Sequence, residues 1–174
     1  DEPKADWEGV VSELAADDRE IVVLSGDNEA ATQAFGEHPA VDQVFAGVPP
    51  EAKAATVREL RSKGRVAMIG DGSNDAPALA TADLGIALAT GTKLATEAGD
   101  VIVADGTLEA VPSLLTIIEK TNSRITQNLG WALCYNAVAI PLAVAGLLNP
   151  LLAAVAMGTS SLLVVVNSTL RPLD

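Results

Sequence analysis

The stretch that decides the fold is Val66-Ala67-Met68-Ile69-Gly70-Asp71-Gly72-Ser73-Asn74-Asp75-Ala76-Pro77-Ala78-Leu79. Four apolar residues run straight into two carboxylates set among glycines. Such a run reads as a buried strand, too hydrophobic for a sheet edge, while Gly70 and Gly72 permit a tight turn and Asn74 to Ala80 start a helix. Asp71 and Asp75 therefore arrive at the carboxyl end of a strand, where open parallel sheets bind ligands. Hard oxygen ligands there suit Mg2+, which takes one or two protein carboxylates and fills its other positions with water and phosphate. The expected substrate is a phosphate compound.

The sequence on either side alternates short apolar runs with helical stretches, the pattern of a parallel α/β sheet. It predicts a helix over Trp7 to Ala16 and a strand over Ile21 to Leu24, followed at once by Ser25-Gly26-Asp27-Asn28. Next come a helix over Glu29 to Phe35, a strand over Val44 to Ala46, and a helix over Pro50 to Lys63 with proline at its start. Beyond Asp71, Leu84 to Leu88 and Val101 to Val103 read as strands, and Leu108 to Gln127 as a long helix. Ser25-Gly26-Asp27 offers a hydroxyl and backbone amides at a strand-to-helix turn, where N–H groups and the helix dipole favour an anion. Lys53 adds a positive charge near the start of its helix. Alone, Ser-Gly-Asp suits any turn after a strand, and a lone lysine is ordinarily solvated. Beside Asp71 and Asp75 the three converge on one phosphate site. No separate nucleophile is visible, because carboxylates that ligate a metal keep their lone pairs on it. The sequence holds half an active site.

No Asp, Glu, Lys, Arg or His occurs between Arg124 and Arg171. A spanning helix needs ~20 apolar residues, and Leu129 to Leu148 and Leu151 to Leu170 each supply that length on either side of Asn149-Pro150. The expectation is a transmembrane helical hairpin; the alternative is a buried hairpin of a soluble protein. The 23 acidic and 11 basic residues give a net charge of −12, nearly all of it before Ile125, which sets nucleic acid aside as a partner. Two regions follow: residues 1–124 as one α/β domain and residues 125–174 in the membrane. The single Cys134 permits no internal disulfide, and His38 beside Pro39 reads as an exposed loop residue. The chain opens at Asp1 without a methionine and reads as a piece of something longer.

Asp1-Glu2-Pro3-Lys4, Ser25-Gly26-Asp27-Asn28, Pro50-Glu51-Ala52-Lys53 and Gly70-Asp71-Gly72-Ser73-Asn74-Asp75-Ala76-Pro77 occur in that order. This resembles the later half of the phosphorylation domain of a P-type ATPase, a Rossmannoid fold of the haloacid dehalogenase superfamily. The resemblance implies that Asp71 ligates Mg2+ and that Asn74 and Asp75 hold the phosphate and metal surroundings. It implies too that Ser25 and Gly26, with Asp27, bind the phosphoryl group and that Lys53 stabilises its charge. The family's phosphorylated aspartate, in Asp-Lys-Thr-Gly, does not occur here and is expected upstream, with the domain that binds most of the ATP. Ser25 stands for the commoner threonine and Ala52 for the usual acidic residue, both mild departures.

Polar residues in a membrane helix are costly and tend to mark a pathway. Cys134-Tyr135-Asn136 lies in the first expected span and Met157-Gly158-Thr159-Ser160-Ser161 in the second. Taken singly, tyrosine packs, methionine fills gaps, and Ser, Thr and Gly let helices approach. Taken together, thioether, thiol and neutral oxygens suit a soft monovalent ion such as Cu+ better than a hard divalent one. By resemblance, Tyr135-Asn136 and Met157 with Ser160-Ser161 follow the copper-exporting heavy-metal branch, whereas zinc pumps are expected to show Lys and Asp. Lys120, Arg124 and Arg171 flank the hairpin with positive charge, which marks a cytoplasmic side and turns the Asn149 loop outward. The expectation is the C-terminal part of a multi-pass copper(I) export pump of the cell membrane, inactive by itself. Its partners would be lipid, the transported Cu+ (or Ag+), a metal-delivering chaperone and the upstream polypeptide. The alternatives are a pump for another metal such as Zn2+, a membrane-tethered Mg2+-dependent phosphatase, and a noncatalytic membrane module.

Overall fold

The computed structural model describes residues 6–71, 73–88, 97–147 and 149–169. The expectations on Asp1 to Lys4, Gly72, Leu148, Leu170 and Arg171 lie outside these. The chain divides into two compact units, Asp1–Pro112 and Ser113–Asp174.

The first unit alternates strand and helix. Helix α1 (Trp7–Ala16) buries Val10 and Leu14, one turn apart on the same face. Strand β1 (Val22–Leu24) leads to α2 (Glu29–Gly36), whose N-cap Asn28 accepts a hydrogen bond from the Ala31 N–H at 3.0 Å. Strand β2 (Gln43–Phe45) and helix α3 (Pro50–Arg61) follow, and Val57 of α3 is fully buried. Then come β3 (Ala67–Gly70), a 3-10 turn (Ser73–Asp75) that runs into α4 (Ala76–Leu79), β4 (Leu84–Leu88) and β5 (Val101–Val103). Leu79, Ile86, Val57 and Val111 are the largest fully buried side chains. Gly85 is required for space: a Cβ there would lie 2.7 Å from the Leu79 carbonyl oxygen, so α4 packs directly on the β4 backbone.

All strand pairs are parallel, as the alternation predicts, but they form two sheets, β1-β2 and β3-β4-β5. One expectation needs correction here. Among the described residues β3 is an edge strand, and the buried central strand of its sheet is β4, whose four residues Gly85 to Leu88 are buried. His38 is also corrected: it is half-buried, its ring centroid 5.1 Å from that of Trp7, which itself meets Phe35 edge-on at 4.8 Å. These three rings tie α1 to the end of α2.

A long helix, α5 (Ala110–Val144), is one continuous element with Pro141 inside it, in keeping with a helix from Leu108 to Gln127 that feeds straight into the first expected span. Gly146, at φ +70°, ends the helix; its N–H donates to the Ala143 carbonyl at 3.0 Å. Asn149 caps α6 (Pro150–Thr169) by accepting from the Leu151 N–H at 2.9 Å. The two helices meet through polar groups near one end: Asn167 Nδ2 donates to Asn128 Oδ1 at 2.8 Å and Asn128 Nδ2 to Ser168 Oγ at 2.9 Å. Among the described residues no helix is long and apolar enough to cross a membrane.

Candidate phosphoryl-transfer site

The site is built where strands end. After β1, Ser25 continues the ladder by donating its N–H to the Phe45 carbonyl at 2.9 Å, and its Oγ accepts from the Asp27 N–H at 3.1 Å. The turn after β2 folds back over this loop. Gly47, at φ +65°, donates its N–H to the Asp27 carbonyl at 2.6 Å, and the Val48 N–H donates to the Ser25 carbonyl at 2.9 Å. Only glycine adopts that backbone readily. Pro49 and Pro50 then start α3, and Lys53 sits in its first turn. The Ser25-Gly26-Asp27 loop and the Lys53 turn are thus joined by the backbone of residues 47–49.

Lys53 reaches the second loop. Its Nζ lies 2.7 Å from Asp75 Oδ1, the two side chains being 13% and 14% exposed. A pair this sheltered is screened far less than a surface one and holds the 3-10 turn to α3. Gly70 makes the pair possible. A Cβ on residue 70 would lie 2.8 Å from the Asp75 Cβ and 3.1 Å from its Oδ2. The sequence reading assigned Gly70 to turn flexibility; the structure assigns it to space, since its φ is not positive. Asp71, at the end of β3, and Asn74, in the 3-10 turn, are exposed toward solvent.

The donor chemistry fits Mg2+. Among the described residues no three His, Cys, Asp or Glu side chains group to hold a metal by themselves. Mg2+ needs no such cage, taking one or two carboxylates plus water and phosphate. Asp71 presents a carboxylate at the strand end, and Asp75 packs against Gly70, the residue just before Asp71.

At the far end of α3, Asp83 Oδ1 accepts from Arg61 Nη2 at 2.7 Å and Nε at 3.1 Å, and its Oδ2 accepts from the Val66 N–H at 3.0 Å. The Arg61 hydrogen bonds first, and the Val66 amide second, hold the Asp83 carboxyl below its ordinary value of 3.8. Sequence reading missed this group. The signal was Arg61 two turns beyond Lys53 on one helix face.

In the second unit, Tyr135 is half-buried and its OH donates to the Ala153 carbonyl at 3.4 Å. Tyr135 also lines a cavity of about 290 Å3 with Cys134, Asn149 and Ala153. Asn136, Met157 and Ser161 are exposed on the hairpin. On α6, among the residues whose burial is described, Ala153, Ser160, Val164 and Asn167 are half-buried, a stripe that contains Ser160 and leaves Ser161 beside it.

Comparison with known proteins identifies the fold and the family. A family profile described as haloacid dehalogenase-like hydrolase matches residues 1–83, and a second so described matches residues 52–115. A probable copper-exporting P-type ATPase of Mycobacterium tuberculosis is 47% identical over 97% of this chain and 22% of its own length. The copper-exporting P-type ATPase of Staphylococcus haemolyticus is 44% identical over 97% of the chain and 21% of its own length. The chain therefore spans about a fifth of the length of the curated relatives it matches. The solved structure of a zinc-transporting PIB-type ATPase in its E2.Pi state matches all of the chain and 28% of that protein, with TM-score 0.87 and 33% identity. The catalytic domain of a CPx-ATPase, CopB-B, matches 64% of the chain and 45% of its own length, with TM-score 0.59 and 27% identity. Identity of 44 to 47% over 97% of the chain to P-type ATPases, on a haloacid dehalogenase-like fold, places this chain in the P-type ATPase family.

Proposed function

We propose that the chain is the later half of the phosphorylation domain, residues 1–124, and a two-helix membrane hairpin, residues 125–174, of an ATP-driven copper(I) export pump. The observation that carries the phosphoryl-transfer reading is the sheltered Lys53–Asp75 pair beside Asp71. In this reading Ser25 Oγ and the amides of Gly26 and Asp27 hold phosphoryl oxygens, and Lys53 turns part of its charge from Asp75 to the transferring group. Asp71, with Asp75, would hold Mg2+, which supplies charge neutralisation when bound. Asn74, with Asp75, would hold the surroundings of the phosphate and the metal. The phosphorylated aspartate would come from a further strand. β1 pairs only with β2 and β3 only with β4 among the described residues, and an apolar strand such as β3 is unsuited to remain an edge.

The membrane reading rests on the uncharged tract from Ile125 to Leu170 and on the large apolar side chains that α5 and α6 expose, among them Leu129, Trp131, Leu151 and Leu163. Exposed apolar surface on this scale suits lipid or further helices. Phosphoryl chemistry would then sit on the cytoplasmic side. Copper is favoured by the uncharged set Tyr135, Asn136, Met157 and Ser161, and by the 47% identity to a copper exporter. The further helices of a whole pump would complete the ligand set, since three of the four side chains are exposed here. Zinc is the second reading, drawn from the zinc-transporting structure at 33% identity.

ATP hydrolysis by the intact parent protein in membrane vesicles tests both, with Cu+ under reducing conditions, Zn2+ or no metal, and Asp71→Ala as the blank. Stimulation by Cu+, abolished in the variant, is the expected result. Stimulation by Zn2+ alone would discard the ion assignment and keep the pump. Metal-independent phosphate release would favour a tethered phosphatase.

A further inference from the structure

One face of α3 carries Lys53, Val57 and Arg61, four residues apart and so stacked along the helix. Each is held differently. Lys53 meets Asp75 at 2.7 Å, Val57 is fully buried, and Arg61 grips two acceptors on the segment that leads into β4. Its Nη2 and Nε donate to Asp83 Oδ1 and its Nη1 donates to the Thr81 carbonyl at 2.7 Å. Asp83 in turn accepts from the Val66 N–H, just before β3, while the Asp83 and Leu84 N–H groups donate to the Val66 carbonyl at 3.0 and 3.2 Å. One carboxylate therefore ties the last turn of α3 to the starts of both β3 and β4.

We infer that Asp83, acting through Arg61, is a positioning residue for Lys53: it sets where α3 lies along β3, and so where the Lys53 ammonium meets Asp75. The consequence for phosphoryl transfer rests on the function proposed above. The two ends of the device are about 12 Å apart, two turns of helix, so Asp83 does not touch the reacting groups. The first turn of α3 needs such an anchor. Its N-cap is Pro49, which makes no side-chain capping bond, so the height of that end rests on the Lys53 pair, backbone bonds and packing against the 3-10 turn and α4. Arg61 and Asp83 are 41% and 33% exposed, and an isolated pair so exposed would contribute little. Here the planar guanidinium spans two acceptors and the carboxylate also holds a backbone amide, a geometry lysine does not reproduce.

The test is acetylation of Lys53 by acetic anhydride in the full 174-residue chain in detergent, followed by peptide mass spectrometry. Lys63, whose side chain is 61% exposed, serves as internal standard. Asp83→Asn and Arg61→Lys are each expected to raise the Lys53 rate at least about threefold relative to Lys63, the scale of a coupled pair. Leu14→Ala, which removes a buried contact of α1, is expected to lower the melting temperature and leave the ratio unchanged. A Lys53 rate unaltered in both clamp variants, or raised as much by Leu14→Ala, would overturn the inference. The catalytic consequence is read separately in the parent pump. If Lys53→Met leaves phosphoenzyme formation intact, the functional reading fails even where the labelling result stands.

Discussion

Gly70 and Asp83 show how single residues set this site. At position 70 the demand is for empty space beside Asp75 rather than for unusual backbone. Gly70→Ala forces the Asp75 side chain away, so the Lys53–Asp75 bond breaks or the strand end shifts. We expect a rate loss of about tenfold or more in the parent pump, equivalent to ~1.4 kcal/mol, with a smaller change in melting temperature; an unaltered rate would refute the steric argument. Asp83 predicts a pH dependence. Its carboxyl is held below the ordinary 3.8 by Arg61 and the Val66 amide, so the folded state binds fewer protons than the unfolded chain. The stabilisation is present in full above that value and is lost as pH falls through the folded pKa, below 3.8. The gap in unfolding midpoint between wild type and Asp83→Asn should hold steady across neutral pH and close in acid. A gap that widened in acid would contradict the assignment.

Among the elements, α3 has most to do, because one helix face carries the site lysine, a core residue and the distal anchor. Val57→Ala removes two buried methyl groups and should cost about 2 kcal/mol, read by chemical denaturation. Its neighbour Glu59, exposed on the other side, should tolerate alanine with little effect. Element existence was legible from sequence throughout. Trp7–Ala16, Leu84–Leu88 and Val101–Val103 form with the predicted bounds, since each pairs a clear hydrophobic period with turn residues at its ends. The site loops were legible too, because carboxylates, glycines and a Ser-Gly-Asp turn fall at strand ends. What the local pattern did not carry was pairing. The apolar run of β3 resembles that of a central strand, yet it is β4 that has neighbours on both sides. Likewise no sequence period distinguishes Ser160 from Ser161; only the phase of α6 against α5 does, through the contacts of Asn128 with Asn167 and Ser168.

For the whole molecule the charge pattern divides the chemistry: all but a short tail of the acidic surface belongs to residues before Ile125, and the following tract has no ionisable side chain but the thiol of Cys134 and the phenol of Tyr135. If α6 inserts in lipid as proposed, Leu163→Arg at an exposed position should raise its insertion cost by about 3 kcal/mol. Carbonate extraction of membranes carrying the full chain reads this directly, and a variant retained as well as wild type would weigh against a lipid-facing helix. The double attachment of α3 also bears on how such chains can diverge. A helix held at Lys53 and again at Arg61 measures a length, so deleting one residue between them turns one end against the other by about 100° and shortens the span by about 1.5 Å. Substitutions on the outer face leave that measure intact, whereas insertions and deletions do not. Across descendants of this chain, the surface of the helix is free to drift while its residue count is not.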